Sequence, residues 1–225
     1  QDLLPLARHM LADLQSGAEM VAARLHRGEG VVRIGATAAG VSAILSKVLP
    51  GFARAHPDIQ VQVEELDTPA ITERIASGTT DIVCCRQPAL LPQGWRFLPC
   101  VPDRFVVVCG NQHPLRRKRL VRLQDLKDVT WLPNALSSAA HKRQEALMAQ
   151  AGWDPQTCGV LTRISSLTWT LLDSAPLVIL VPLGVVSPWV ERGLLQVLPL
   201  ELDMPFDPTN MLMSKETQSI TCKTM

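Results

Sequence analysis

The chain has 225 residues, 22 basic against 21 acidic side chains and a formal charge of +1, with 47% hydrophobic residues. Its near balance of charge excludes the broad basic field of a nucleic-acid or membrane-surface binder. The longest apolar stretch, Ala175 to Val186, is broken by Pro176, Pro182 and Gly184 and is too short to span a bilayer.

At the N-terminus, Leu4, Ala7, Leu11, Leu14, Ala18, Val21 and Leu25 alternate spacings of three and four, a heptad seam closed by Gly28 and Gly30. The seam predicts a helix pairing with another copy, the alternative being an amphipathic helix packed on its own domain. Arg8, Asp2 and Asp13 interrupt its apolar residues, which a secretory leader would not tolerate. "VVRIGA" follows as a buried strand. The next helix begins near Ala39 and carries Val41, Ile44, Leu45, Val48, Leu49 and Phe52 in a wide stripe facing a sheet, ending at His56-Pro57. "IQVQVEE" alternates apolar and polar residues as a half-exposed strand does, giving a β-α-β unit with parallel strands.

The pattern continues with a short helix through Ile71 and Ile75, closed by Gly78, and the strand "DIVCC". Beyond the Pro-rich "QPALLPQGW", a second round starts with the strand "RFVVVCG" and the basic loop "HPLRRKRL". The helix "AAHKRQEALMAQAG", a strand-like "GVLTRI", the helix "SLTWTLLDSA" and the strand "LVILVP" complete it. "WVERGLLQVLPLEL" reads as helix, Gly turn and strand. Two α/β lobes joined by hinge strands fit this order better than one sheet. The stretch 214–225 has little apolar periodicity and is not placed.

The six cysteines (Cys84, Cys85, Cys100, Cys109, Cys158 and Cys222) show no CxxC spacing, and no Cys/His cluster resembles a zinc site. Buried, reduced thiols are expected, with no metal and no cofactor. No Gly-x-Ser-x-Gly elbow, HExxH motif or dinucleotide fingerprint occurs, so no enzyme activity is expected.

This order of elements resembles the effector-binding region of the LysR-type transcriptional regulators over about residues 1–213. The stretches "GEGVVRIGATAAGVSAILSKVLPGFARAHPDIQVQV", "ITERIASGTTDIVCC", "DRFVVVCGNQHPL", "LQDLKDVTWLP" and "LVILVPLGVVSPWVERGLLQVLPL" carry the resemblance. It implies a fold of two Rossmann-like lobes, similar to type 2 periplasmic binding proteins. The expected division is a coiled-coil-like linker helix at 1–28, lobe I at 31–102 and 200–225, and lobe II at 103–199. The resemblance further implies a cytoplasmic regulator, off the membrane, that touches DNA only through a winged helix-turn-helix preceding this segment. A homodimer or homotetramer is implied, the helix at 41–55 pairing with the partner's helix at 140–151. A solute-binding protein of the same fold is the alternative.

In open α/β sheets ligands bind beyond the carboxyl ends of strands, where helix N-termini converge and favour anions. "ATAAG" occupies such a place. Thr37 either caps the helix or donates its hydroxyl to a ligand, while Ala38 and Ala39 leave room for it. Gly35 and Gly40 have P-loop spacing, but Val41 and Ser42 replace the Lys and Ser/Thr that nucleotide binding requires. Ser137 and Ser138 before one helix of lobe II, and Ser165 and Ser166 before another, are further candidates. Arg86 offers a bidentate partner for a carboxylate. Together these residues point to an organic-acid effector. Trp169 and Phe105 are expected in the core, and Arg116 to Arg119 as a solvated loop.

Overall fold

The computed structural model describes residues 10, 11, 14, 17, 30–88, 94–134, 138–162, 165–201 and 204–214. Most of the expected linker helix at 1–28, the tail beyond 214 and Ser137 lie outside them. Leu11 and Leu14 of the seam have helical backbone and are 65% and 70% exposed. The chain divides into two compact units, Gln1–Pro102 with Asp207–Met225, and Asp103–Phe206.

In the first unit, β1 (Gly30–Ala36), β2 (Ile59–Glu65) and β3 (Ile82–Arg86) run parallel, β1 lying between the other two. A fourth strand, β9 (Pro205–Ser214), closes the order β2-β1-β3-β9 antiparallel to β3, with Cys84 opposite Met211. Helix α1 (38–55) connects β1 to β2, and α2 (Thr68–Ser77) connects β2 to β3. Gly78 ends α2 at φ 66°, a left-handed position that glycine adopts without a Cβ clash. Successive side chains of β3 point to opposite faces of the sheet. Val83 and Cys85 therefore pack with Ile71 and Ile75 of α2, whereas Cys84 packs with Ile34, Ala36 and Leu45.

Helix α1 departs from the expected apolar stripe. It opens as an α turn at Ala38–Gly40, passes through a π segment at Val41–Leu45 and resumes as α over Ser46–Ala55. A π turn holds one more residue than an α turn, so the residues after it are rotated out of the α phase. Leu45 is buried, Leu49 stays partly so, and Val48 is 56% exposed.

The second unit contains β5 (Thr130–Trp131), β6 (Gln156–Thr157) and β7 (Leu177–Pro182), all parallel with β5 in the middle. β4 (Trp95–Gly110) enters from the first unit and lies antiparallel to β7, while β8 (Leu195–Val197) pairs with β4. Helices α3 (Ala139–Ala151), α4 (Ser166–Ser174) and α5 (Leu183–Glu191) complete it. All six residues of β7 are buried, and Trp131, Leu126, Leu147 and Leu180 join a single core cluster. Trp169 and Phe105 are buried at 9% and 6% exposure, against Trp189 and Phe206 respectively.

Of the strand-like "GVLTRI", Gly159 to Thr162 form no strand, and Arg163 and Ile164 lie outside the described residues. β5 pairs with β6 at two positions, Thr130 with Gln156 and Trp131 with Thr157, and the next amide, Leu132, turns to Val178 of β7. Residues 159–162 join no strand among the described residues, and Val160 and Leu161 stay 41% and 59% exposed. The basic loop folds as a 3-10 turn at Pro114–Arg117, where Arg116 Nε donates to Gln196 Oε1 at 2.8 Å and Lys118 pairs with Asp125 at 2.9 Å.

Candidate functional site

Because β1, β2 and β3 are parallel, the loops that follow them share one end of the sheet. The chain goes from β1 outward to β2 and returns to β3 on the other side, which makes the β1/β3 edge a topological switch point. Thr37 stands there. Its amide donates to Cys84 O at 3.0 Å, tying the start of α1 to the end of β3. Its hydroxyl accepts from Gly40 N at 3.4 Å and lies 3.5 Å from Cys84 O, both at the long limit of hydrogen bonding. The side chain is only loosely engaged, at the positive end of a helix dipole.

Gly40 makes this approach possible. A Cβ at that position would stand 2.1 Å from the backbone oxygen of Cys84. Ala38 is half-buried, whereas Ala39 is 1% exposed, so its small side chain is spent on packing. Arg86 ends β3 two residues beyond Cys84 and is half-buried, opposite Thr209 on β9. The first unit thus gathers Thr37, Ala38 and Arg86 at one strand end.

Sequence reasoning missed two polar groups beside them. Thr209 Oγ1 and Asn210 Oδ1 are fully shielded and meet no hydrogen-bond partner among the described residues, at positions 1% and 0% exposed on β9. An unsatisfied buried group of this kind costs about 1–3 kcal/mol. The clue was the polar "DPTN" inside an otherwise apolar stretch.

In the second unit, Ser138 caps α3, its hydroxyl accepting from His141 N at 3.0 Å. Ser165 is the N-cap of α4, and its amide donates to Thr168 Oγ1 at 3.1 Å. Ser165 and Ser166 are exposed.

The three buried thiols, Cys84, Cys85 and Cys109, are chemically quiet. Burial pushes Cys84 up to about 12, with Cys100 and Cys85 adding to the shift, and it pushes Cys85 and Cys109 to about 11. These are thiols, not thiolates, at neutral pH. Among the described residues no group of three or more His, Cys, Asp or Glu side chains is placed to hold a metal ion, and no helix is long and apolar enough to cross a membrane.

The model of the LysR substrate binding domain matches residues 26–222. The transcriptional regulator GbpR of Azospirillum brasilense is 29% identical over 151 residues, 66% of this chain and 44% of GbpR. The chain therefore spans under half the length of that relative. The regulatory domain of CcmR from Synechocystis PCC6803, solved in complex with 2-PG, superposes with a TM-score of 0.64 at 15% identity, over 86% of this chain and 94% of that one. The effector-binding domain of QuiR in complex with shikimate gives 0.61 at 18% identity, over the same shares.

Proposed function

The chain belongs to the LysR substrate-binding domain family and has its type 2 periplasmic-binding-protein-like fold, and from that premise we propose that it senses a small organic acid for a transcriptional regulator. The observation that carries this reading is the loosely held Thr37 hydroxyl at the switch point, on the first turn of a helix, with Arg86 at the same strand end. A carboxylate there gains the amides of that turn, the helix dipole and a guanidinium. The two units act as lobes I and II, Ser137, Ser138, Ser165 and Ser166 supplying the contacts of lobe II. The complexes of CcmR with 2-PG and of QuiR with shikimate support a small effector.

DNA is reached through a helix-turn-helix part of the kind that the similar HTH-type regulators carry. The regulator works in the cytoplasm as a homodimer or homotetramer. α1 of one copy packs on α3 of the next, which accounts for an exposed Val48 on α1.

The experiment is thermal melting against a panel of aromatic and aliphatic acids, with neutral sugars and amino acids beside them. A ligand that binds only the native state raises the melting temperature with concentration. One acid is expected to do so and to lose the effect in Thr37→Val. A sugar that acts alone, or an acid indifferent to Thr37→Val, would refute the assignment.

A further inference from the structure

β9 carries a polar side chain that the fold does not use. Thr209 stands directly opposite Arg86 on β3, as Met211 stands opposite Cys84 and Leu212 opposite Val83. Opposed residues of antiparallel strands share a face of the sheet, and the faces alternate along each strand. Cys84 and Met211 pack with Ile34 and with Leu45 of α1, so Arg86 and Thr209, two residues along, lie on that same face. It is the face that α1 covers, and α1 starts at Thr37, whose amide bonds Cys84 O. Asn210 faces the other way, with Cys85, and its Nδ2 donates to Pro208 O at 2.7 Å, so it takes no part on this side of the sheet.

Thr209 Oγ1 is shielded, at a residue 1% exposed, and neither donates nor accepts a hydrogen bond among the described residues. Valine has the same branched shape and suits a strand equally well. The hydroxyl therefore costs the free chain stability that valine would not, and a buried group of this kind calls for a bound molecule. Opposed residues of an antiparallel pair have Cα atoms about 4.5–5.5 Å apart, so one small molecule reaches both Arg86 and Thr209.

We infer that Thr209 is a specificity-determining residue and that the effector is a hydroxy acid, its carboxylate on Arg86 and the first turn of α1, its hydroxyl on Thr209 Oγ1. The assignment rests on the organic-acid effector proposed for this site and narrows its class. Oγ1 is closed off in the free chain. Arg86, half-buried and directly opposite, is long enough to turn its guanidinium onto the carboxylate and leave Oγ1 open to the hydroxyl of the same molecule. A hydroxyl both donates and accepts, so it satisfies Thr209 whichever way the threonine proton points. A hydrogen or methyl group in its place leaves Oγ1 unpartnered.

Matched pairs are the probes, titrated calorimetrically into the full chain: lactate with propionate, malate with succinate, mandelate with phenylacetate, and salicylate with benzoate. At least one hydroxy acid is expected to bind about tenfold or more tightly than its partner. Thr209→Val should erase that preference, bringing the hydroxy acid down to its partner while the partner's own affinity stays within about twofold. Without ligand, Thr209→Val should melt no lower than the parent chain. Thr209→Ser keeps the hydroxyl and should keep the preference. If acids bind but the members of every pair bind alike, or if the preference survives in Thr209→Val, the inference is overturned and the acid effector stands. A ligand-free Thr209→Val that melts well below the parent gives the hydroxyl to the fold and overturns it as well. If no acid binds saturably, the acid effector falls and the hydroxy acid with it.

Discussion

The two units are wound alike and built differently. In each, the first parallel strand takes the centre, the second goes to one side, the third to the other, and an antiparallel strand pairs with the third: β2-β1-β3-β9 in one and β6-β5-β7-β4 in the other. The cores diverge. The second unit buries all six residues of β7, Val178 and Leu180 within the cluster around Trp131 and Ile179 and Val181 on the opposite face, while the first packs two smaller clusters on the two faces of β3. The same winding thus accommodates a larger described cluster and two smaller ones, and the loosely held Thr37 belongs to the unit with the smaller.

The largest expected effect tests the core of the second unit. Trp131 is 0% exposed, and Trp131→Ala should cost about 3–5 kcal/mol. Amide exchange should rise across β5 and β7 while Val83 and Leu212 of the first unit keep their protection. An equal loss in both units would break the comparison.

A close backbone approach is the device that both units share. An added Cβ would stand 2.1 Å from Cys84 O at Gly40 and 2.0 Å from Leu172 O at Gly110. Gly40→Ala and Gly110→Ala should each lower stability by about 1–3 kcal/mol in urea titrations. An innocuous substitution at either would show that the helix there is free to move off its strand.

Acid should separate the units further. His113, 5% exposed, accepts from Leu115 N through Nδ1, and burial holds its pKa below the ordinary 6.5. The unfolded chain therefore binds this proton at higher pH than the folded one. The stability that His113 contributes is present above about pH 6.5 and is lost as pH falls below it. His113→Asn, which retains a capping side chain, should flatten that fall. A pH profile unchanged by the substitution would place the acid sensitivity elsewhere.

The smallest effect is a labelling order. Cys100 is exposed, whereas Cys84, Cys85 and Cys109 are buried thiols with raised pKa. Iodoacetamide followed by peptide mapping should modify Cys100 well before those three.

The elements with strong periodicity were legible in the sequence. β2 alternates, α2 ends on its glycine, and "LVILVP" is the buried β7. Val48 and "GVLTRI" were not, because a π segment and the end of the β5–β6 pairing at Thr157 depend on neighbours distant in the chain. At the candidate site, the Thr37 turn could be read from a strand running into a helix start. Thr209 and Asn210 left only the polar "DPTN" as a clue, since it is the pairing of β9 with β3 that brings them beside Arg86.

The measurement that bears most directly on the central claim is an NMR titration of the chain with whichever acid raises its melting temperature, following the amides of Ala38, Ala39 and Gly40. Saturable shifts at those three amides, absent in Thr37→Val, are the expected result. An acid that stabilises the chain while leaving them unmoved would contradict the account.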